Sequence, residues 1–423
     1  MWRYCAIERN DPRRWRRFRA VLAALGAALL TLFASASAQP ALRPERPGPS
    51  TEITCPVIAI SVEPGRSIQT VVDRYPASTT FCIRAGVHYL TDSITPKSGD
   101  VFVGEYGAIL DGTDWRTRDD TQGAFRAHNQ DIDDVVIRNL VIRRMPQRGV
   151  HAYPSGADRW ILERNEIADN LVGVVVPGGS IVSRNFIHHN AGDPKSTVYV
   201  EQGGGYQLYR ANNVRFEGNE IAFNSINQKV VESTNVVFRN NFVHDNLGNG
   251  IWYDGDNVGS LIEDNQVDDN AGEGIFYEVS GRGVIRGNVV RRSGLSGIFL
   301  STSKDTEVDH NTLEDNFRGI NLFLNCDAAG TATVITYALG NDRVHDNVIK
   351  VGLRIGSLAS SFGYSASCKP AQLQPYLTGA AQLVFVRNTY QVPSESGRYW
   401  MWGDTKSWVQ WKALGHDRDG VLR

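Results

Sequence analysis

From about residue 80 onward, hydrophobic residues come in short runs separated by polar pairs. V-V-F-R-N-N-F-V-H-D-N, from Val236, shows the unit: two apolar patches split by a polar corner. No segment here carries a convincing apolar stripe at i, i+3, i+4 and i+7, so the pattern predicts short strands rather than helices. The corners recur as N-E-I-A-D-N from Asn165, N-F-I-H-H-N from Asn185, N-E-I-A-F-N from Asn219 and N-F-V-H-D-N from Asn241. They continue as N-Q-V-D-D-N from Asn265, N-V-V-R-R-S from Asn288 and N-T-L-E-D-N from Asn311, with weaker copies at Asn347 and Asn388. From Asn219 to Asn311 the copies start 22, 24, 23 and 23 residues apart.

A fixed period in the low twenties means stacked supersecondary units. The Leu lattice of leucine-rich repeats is missing, so the pattern predicts an all-β, single-domain parallel β-helix with three short strands per coil. Residues one period apart then stand about 4.8 Å apart. The Asn residues are expected to form a hydrogen-bonded corner ladder and to take the left-handed backbone of the corner. Gly250, Gly274, Gly297 and Gly319 are expected to supply positive φ at other corners.

The ends break the pattern. An amphipathic helical run after Ser67 suggests an N-terminal helical cap, and the tail 393–423, with Trp400, Trp402, Trp408 and Trp411, a C-terminal Trp-rich cap. The coils are expected over about 80–350, within a domain spanning 51–423. The 34 residues from Asn185 to Asn219 imply an insertion, assigned to 191–209, and 36 separate Asn311 from Asn347. Insertions in solenoids map to loops, often on the binding face.

Composition adds the compartment. Arginines 13–19, an apolar run to Phe33 and a small-residue stretch ending at Ala38 read as a signal peptide (1–38), followed by a Pro-rich linker (39–50). A secreted or periplasmic monomer with no membrane span after cleavage is expected. Beyond Cys5, Cys55 is expected to pair with Cys82 and Cys326 with Cys368. No Cys/His spacing suggests a zinc site. A net charge of −2 with scattered basic residues gives no sign of a nucleic-acid partner.

The repeat also serves as a ruler for chemistry. Gly250 precedes I-W-Y-D, Gly274 I-F-Y-E and Gly297 I-F-L-S. With Ile251, Ile275 and Ile298 inward, alternation sends Trp252, Phe276 and Phe299 outward, with Asp254 and Glu278 beside them. Counting 22 residues back places Glu232 in line with Asp254, and Asp256 follows on the same side. Exposed aromatics offer sugar rings a platform. Glu232, Asp254, Asp256 and Glu278 are candidate Ca²⁺ ligands. Asp254, Glu278, Lys229 and His151 are candidate catalytic groups, and Tyr153, Tyr199 and Tyr209 candidate substrate contacts. A solvated acidic ridge and ordinary surface packing of the aromatics are the bland readings of the same columns.

Residues 80–325 resemble the secreted right-handed parallel β-helix proteins of the pectate-lyase-like superfamily. G-N-G-I-W-Y-D-G-D-N (Gly248–Asn257) and G-E-G-I-F-Y-E-V-S (Gly272–Ser280) are similar to G-L-W-x-D-x-D-N and G-I-x-x-E-I-S of a bacterial branch. The closing W-V-Q-W-K-A-L-G-H-D (Trp408–Asp417) is similar to the W-x-x-x-x-G-x-D ending of some secreted members. The resemblance implies a carbohydrate-active protein. The leading expectation is β-elimination of an acidic polysaccharide, with Lys229 or His151 as base. Glycoside hydrolysis by Asp254 and Glu278 comes next, ahead of a non-catalytic glycan-binding or surface β-helix. Uronate epimerisation shares the proton abstraction, but D-P-K-S at Asp193 does not match the D-P-H-D motif of alginate epimerases.

Overall fold

The computed structural model describes residues 46–116, 119, 121–153, 156–191, 203–328 and 339–423. The signal-peptide assignment, most of the linker and Tyr199 lie outside these residues. The described chain is a parallel β-helix whose coils contribute to three sheets of 13, 13 and 12 strands. Neighbours in each sheet are successive coils, as in the first-sheet pairing of Val237–Arg239 with Leu261–Glu263. The third sheet ends on Asp404–Lys406, which pairs antiparallel with Trp400–Trp402.

Most three-residue strands, such as Val237–Arg239 and Leu261–Glu263, bury only their central side chain, so the core is built largely from one residue per strand. Phe216 and Phe238 are both fully buried and stack at 4.8 Å between ring centroids. Near the N-terminus, Ser67 accepts from the Thr70 backbone N–H and starts the helix Ile68–Arg74, which buries Ile68 and Val72.

Both Asn residues of the repeat form buried ladders. In the first, Asn219 Nδ2 donates to Asn241 Oδ1 at 2.9 Å, and the chain of amides runs on through Asn265, Asn288, Asn311 and Asn347 to Asn388. In the second, Asn224 donates to Asn246, and Asn246 to Asn270. The left-handed residue is not the Asn but the one before it: Arg164, Arg184, Asn240 and Asp264 all have φ between 52° and 55°. That kink turns the Asn side chain into the coil, where each amide finds donors and acceptors.

The corner glycines are also explained differently from the expectation, since Gly250, Gly274, Gly297 and Gly319 do not have positive φ. They are close approaches. A Cβ on Gly250 would stand 2.6 Å from the Gly274 carbonyl oxygen and 2.9 Å from Asn270 Nδ2.

Both expected disulfides are present, Cys55–Cys82 and Cys326–Cys368. The end of the Pro-rich stretch lies against the coils: Gly48 N donates to Arg184 O, and Ser50 N to Oδ1 of Asn139, a left-handed corner residue. In the interval assigned to an insertion, Gly204–Tyr209 is a strand of the third sheet, with Tyr206 and Leu208 fully buried. The C-terminal tryptophans close the other end: Trp400 and Trp411 are fully buried and Trp408 nearly so.

Candidate active site

The third sheet carries the outward columns. Ile251 and Tyr253 are fully buried, which forces Trp252 and Asp254 outward on the strand Ile251–Asp254. Register then stacks Trp252 on Phe276 and Phe299, and Asp254 on Glu278 and Ser301. The Trp252 and Phe276 rings lie 5.6 Å apart and 8° from parallel, and Phe276 and Phe299 lie 4.8 Å apart. Phe323, one coil further, meets Phe299 edge-on at 6.1 Å.

The charged groups interlock around Trp252. Lys229 Nζ donates to Asp254 Oδ2 at 2.8 Å and sits 5.0 Å from the indole centroid. Trp252 Nε1 donates to Glu278 Oε2 at 3.3 Å. Burial, and then the neighbouring Asp254 carboxylate, push the Glu278 carboxyl up to about 7. Glu278 thus titrates near neutrality, next to a carboxylate that faces an ammonium. Such a pair can deliver a proton from one member while the other stays an anion.

The remaining sequence candidates are placed unevenly. Glu232 does not join the column. Val230 pairs with Tyr253, so Val231 stands beside Asp254, and the Glu232 N–H bonds to Gly255 O at the corner. There Glu232 has φ 49° and its carboxylate binds Arg210 at 2.6 Å. Asp256 is nine-tenths buried at φ 52°, in the turn after the strand ends at Asp254. The four expected Ca²⁺ ligands therefore do not converge: Asp254 and Glu278 share the face, with Lys229 on Asp254.

His151 lies in the Lys229–Trp252 column, but three coils before Lys229, roughly 14 Å away along the sheet. It is 4% exposed and burial lowers its pKa to about 3, and at that distance its ring does not reach the Asp254–Glu278 pair. Tyr209 pairs with Val231, two coils from Asp254, and its ring lies 5.9 Å from that of Tyr153. The two tyrosines line a cleft of about 630 Å³.

Two features escape the sequence reading. Arg318, Asn321 and Phe323 line a hollow of about 210 Å³ that extends the aromatic face. Counting onward from Gly319 reaches it, but Asn321 stands where the preceding coils carry an aromatic, which hid the coil. Glu273, 7% exposed, accepts from the Ser296 N–H and is pushed up to about 7 by burial. Among the described residues, no helix is long and apolar enough to cross a membrane.

Comparison with known proteins agrees with this architecture. The model of the family described as right-handed beta helix region matches residues 123–258 and 194–336, together 214 of 423 residues. No curated protein matches the chain. Among solved structures, the A-module of Azotobacter vinelandii mannuronan C-5 epimerase AlgE6 is similar at 16% identity and a TM-score of 0.59, covering 84% of this chain and 94% of that one. The AlgE4 A-module of the same organism is similar at 17% identity and 0.56, covering 70% and 89%. PfbA, a surface adhesin of Streptococcus pneumoniae, is similar at 11% identity and 0.52, covering 73% and 92%. At these identities the likeness is one of fold.

Proposed function

This chain belongs to the right-handed β-helix family, and from that premise we propose that it is an exported polysaccharide-cleaving protein working on the outer face of its third sheet. The observation that carries the proposal is the Glu278 carboxyl, pushed up to about 7 beside an Asp254 carboxylate that Lys229 contacts, all flanking a flat aromatic ribbon. Sugar rings stack on Trp252, Phe276 and Phe299. Glu278 gives its proton to the glycosidic oxygen as the bond to the anomeric carbon breaks. Asp254 attacks that carbon or takes a proton from the attacking water. Adjacent coils put the two backbones about 4.8 Å apart, close to the roughly 5–5.5 Å carboxyl separation of retaining enzymes.

These contacts support hydrolysis over β-elimination, the leading expectation from the sequence. Elimination needs a base at the sugar C5. Lys229 Nζ is engaged in donating to Asp254 at 2.8 Å, and His151 is three coils away. Lys229 and Arg318 nonetheless support a substrate bearing carboxylates. The similarity to epimerases and to an adhesin supports a carbohydrate or surface role without choosing a reaction. Both disulfides support an oxidising compartment.

The test is incubation with uronate and neutral polysaccharides, following reducing ends and the ultraviolet absorbance of unsaturated uronate. Reducing ends without absorbance, lost in Glu278→Gln, are expected. Absorbance would return the assignment to a lyase, and binding without cleavage would make the face a glycan-binding surface.

A further inference from the structure

A second cluster stands on the outer face of the first sheet, away from the aromatic ribbon. Glu307 and Asp309 flank the buried Val308 and point outward. The next coil brings His345 beside Asp309. His345 Nε2 lies 2.8 Å from Glu307 Oε1, and one ligand atom from each of Glu307, Asp309 and His345 falls within 4.8 Å of the others. We propose that these three residues bind a divalent first-row transition ion, with Zn²⁺ as its representative.

The side chain behind the imidazole supports this chemistry. His345 Nδ1 donates to Asp346 Oδ2 at 2.7 Å, leaving Nε2 as the nitrogen aimed at the cluster. Asp346 is in turn gripped by Arg387, whose Nε and Nη2 donate to its two oxygens at 2.9 and 2.6 Å. A carboxylate behind the non-ligating nitrogen is the support that metal-binding histidines usually have, since it fixes tautomer and ring orientation. One imidazole with two carboxylates suits Zn²⁺ or Mn²⁺ better than it suits soft ions. Ligand atoms around a tetrahedral ion with ~2.1 Å bonds lie ~3.4 Å apart, within a small side-chain swing of the present positions.

The molecule contains its own control. His244 is built the same way, with Nδ1 at 2.9 Å from Asp245 and Nε2 at 3.3 Å from Glu220. Across from it, however, stands Ala222 where His345 faces Asp309. On the following coil Asp268 pairs with His244, but among the described residues Glu220, His244 and Asp268 do not bring three ligand atoms within 4.8 Å of one another. Spacing alone could not find the site at 307–345, because two of its ligands are 36 residues apart in sequence and meet only through coil register. They bridge the longest of the repeat intervals up to Asn347, the one that runs from Asn311.

Titration calorimetry of the chelator-treated full chain with Zn²⁺ near pH 7.5 tests the proposal, alongside melting with and without the metal. One saturable equivalent and a Tm rise of a few degrees at ~100-fold excess over Kd are expected. His345→Ala and the near-isosteric Asp309→Asn should each weaken binding at least tenfold, while His244→Ala leaves it unchanged. Asp309→Asn keeps the test decisive if His345→Ala misfolds. Absence of saturable binding by the native chain overturns the site. So does binding that survives Asp309→Asn but is lost in His244→Ala.

Discussion

Asp417, at the end of the first asparagine column, and Glu278, on the third-sheet face, are two carboxyls with raised pKa in very different company. Burial is the main cause in both. Asp417 accepts from Asn388 N and Nδ2, from Tyr390 O–H and from Trp411 Nε1, at 2.7 to 3.0 Å. It is the ladder's last acceptor, standing where another Asn would be. Glu278 has one long contact from Trp252 and a like charge beside it. Four donors around a carboxyl mark a structural keystone. One donor, a like charge and an open aromatic face mark a group held ready to react. The closing W-K-A-L-G-H-D (Trp411–Asp417) thus finds a structural use, with Trp411 hydrogen-bonded to Asp417 inside the cap.

The largest effect should come from removing the keystone. Asp417→Ala leaves four buried donors without an acceptor and should cost about 4–5 kcal/mol, read as a lowered denaturation midpoint. Hydrogen exchange should rise first in the terminal coils, because a solenoid is held by nearest-neighbour contacts. A loss of activity at unchanged stability would erase the distinction between the two carboxyls.

Glu278→Gln should invert that outcome. Cleavage should fall by about 10³-fold, close to 4 kcal/mol of transition-state stabilisation, with the melting temperature at neutral pH unchanged or raised. Trp252→Ala sharpens the picture of the face. Losing one stacking platform should raise KM by about 3–10-fold, with a smaller change in kcat. Equal losses in both variants would argue that the face is only a packing surface.

Much of this was legible in the chain, and the misses have one cause. The Asn repeat gave the ladder, and the alternation in I-W-Y-D and I-F-Y-E gave the ribbon and the Asp254–Glu278 pair. Glu232 was misplaced because the ruler was carried across a corner of variable length. Lys229 follows Asn224 by five residues, whereas its partner Trp252 follows Asn246 by six. The extra residue in L-G-N-G-I shifts the register by one, and a one-residue slip turns a side chain to the other face. Asp256 failed for a related reason: alternation stops where the strand does, and G-D-N after Asp254 is a turn. The strand Gly204–Tyr209 was readable in Y-Q-L-Y, with Tyr206 and Leu208 inward, but the long interval around it suggested a loop. The first-sheet cluster needed coordinates, since nothing local in the sequence links Asp309 to His345.

The smallest effect is the pH dependence of stability, and it tests whether the Glu278 environment is as described. Its pKa rises from 4.5 in the unfolded chain to about 7 in the fold. Between these values the folded state binds more protons than the unfolded one, so stability falls as pH rises. The contribution is complete below about 4.5 and gone once pH passes about 7. For a partly open side chain the loss should be about 1–2 kcal/mol. Glu273 is pushed to about 7 as well and adds a loss of the same sign, so the native chain alone cannot separate the two. Glu278→Gln can. Its melting temperature should decline less between pH 5 and 8 than that of the native chain, roughly as linkage requires for one carboxyl. Glu273→Gln should flatten the curve similarly while leaving cleavage intact, because Glu273 is bonded to the Ser296 N–H and does not face the ribbon's charged pair. If only Glu273→Gln flattens the curve, Glu278 is an ordinary solvated carboxylate and cannot be the proton donor at neutral pH.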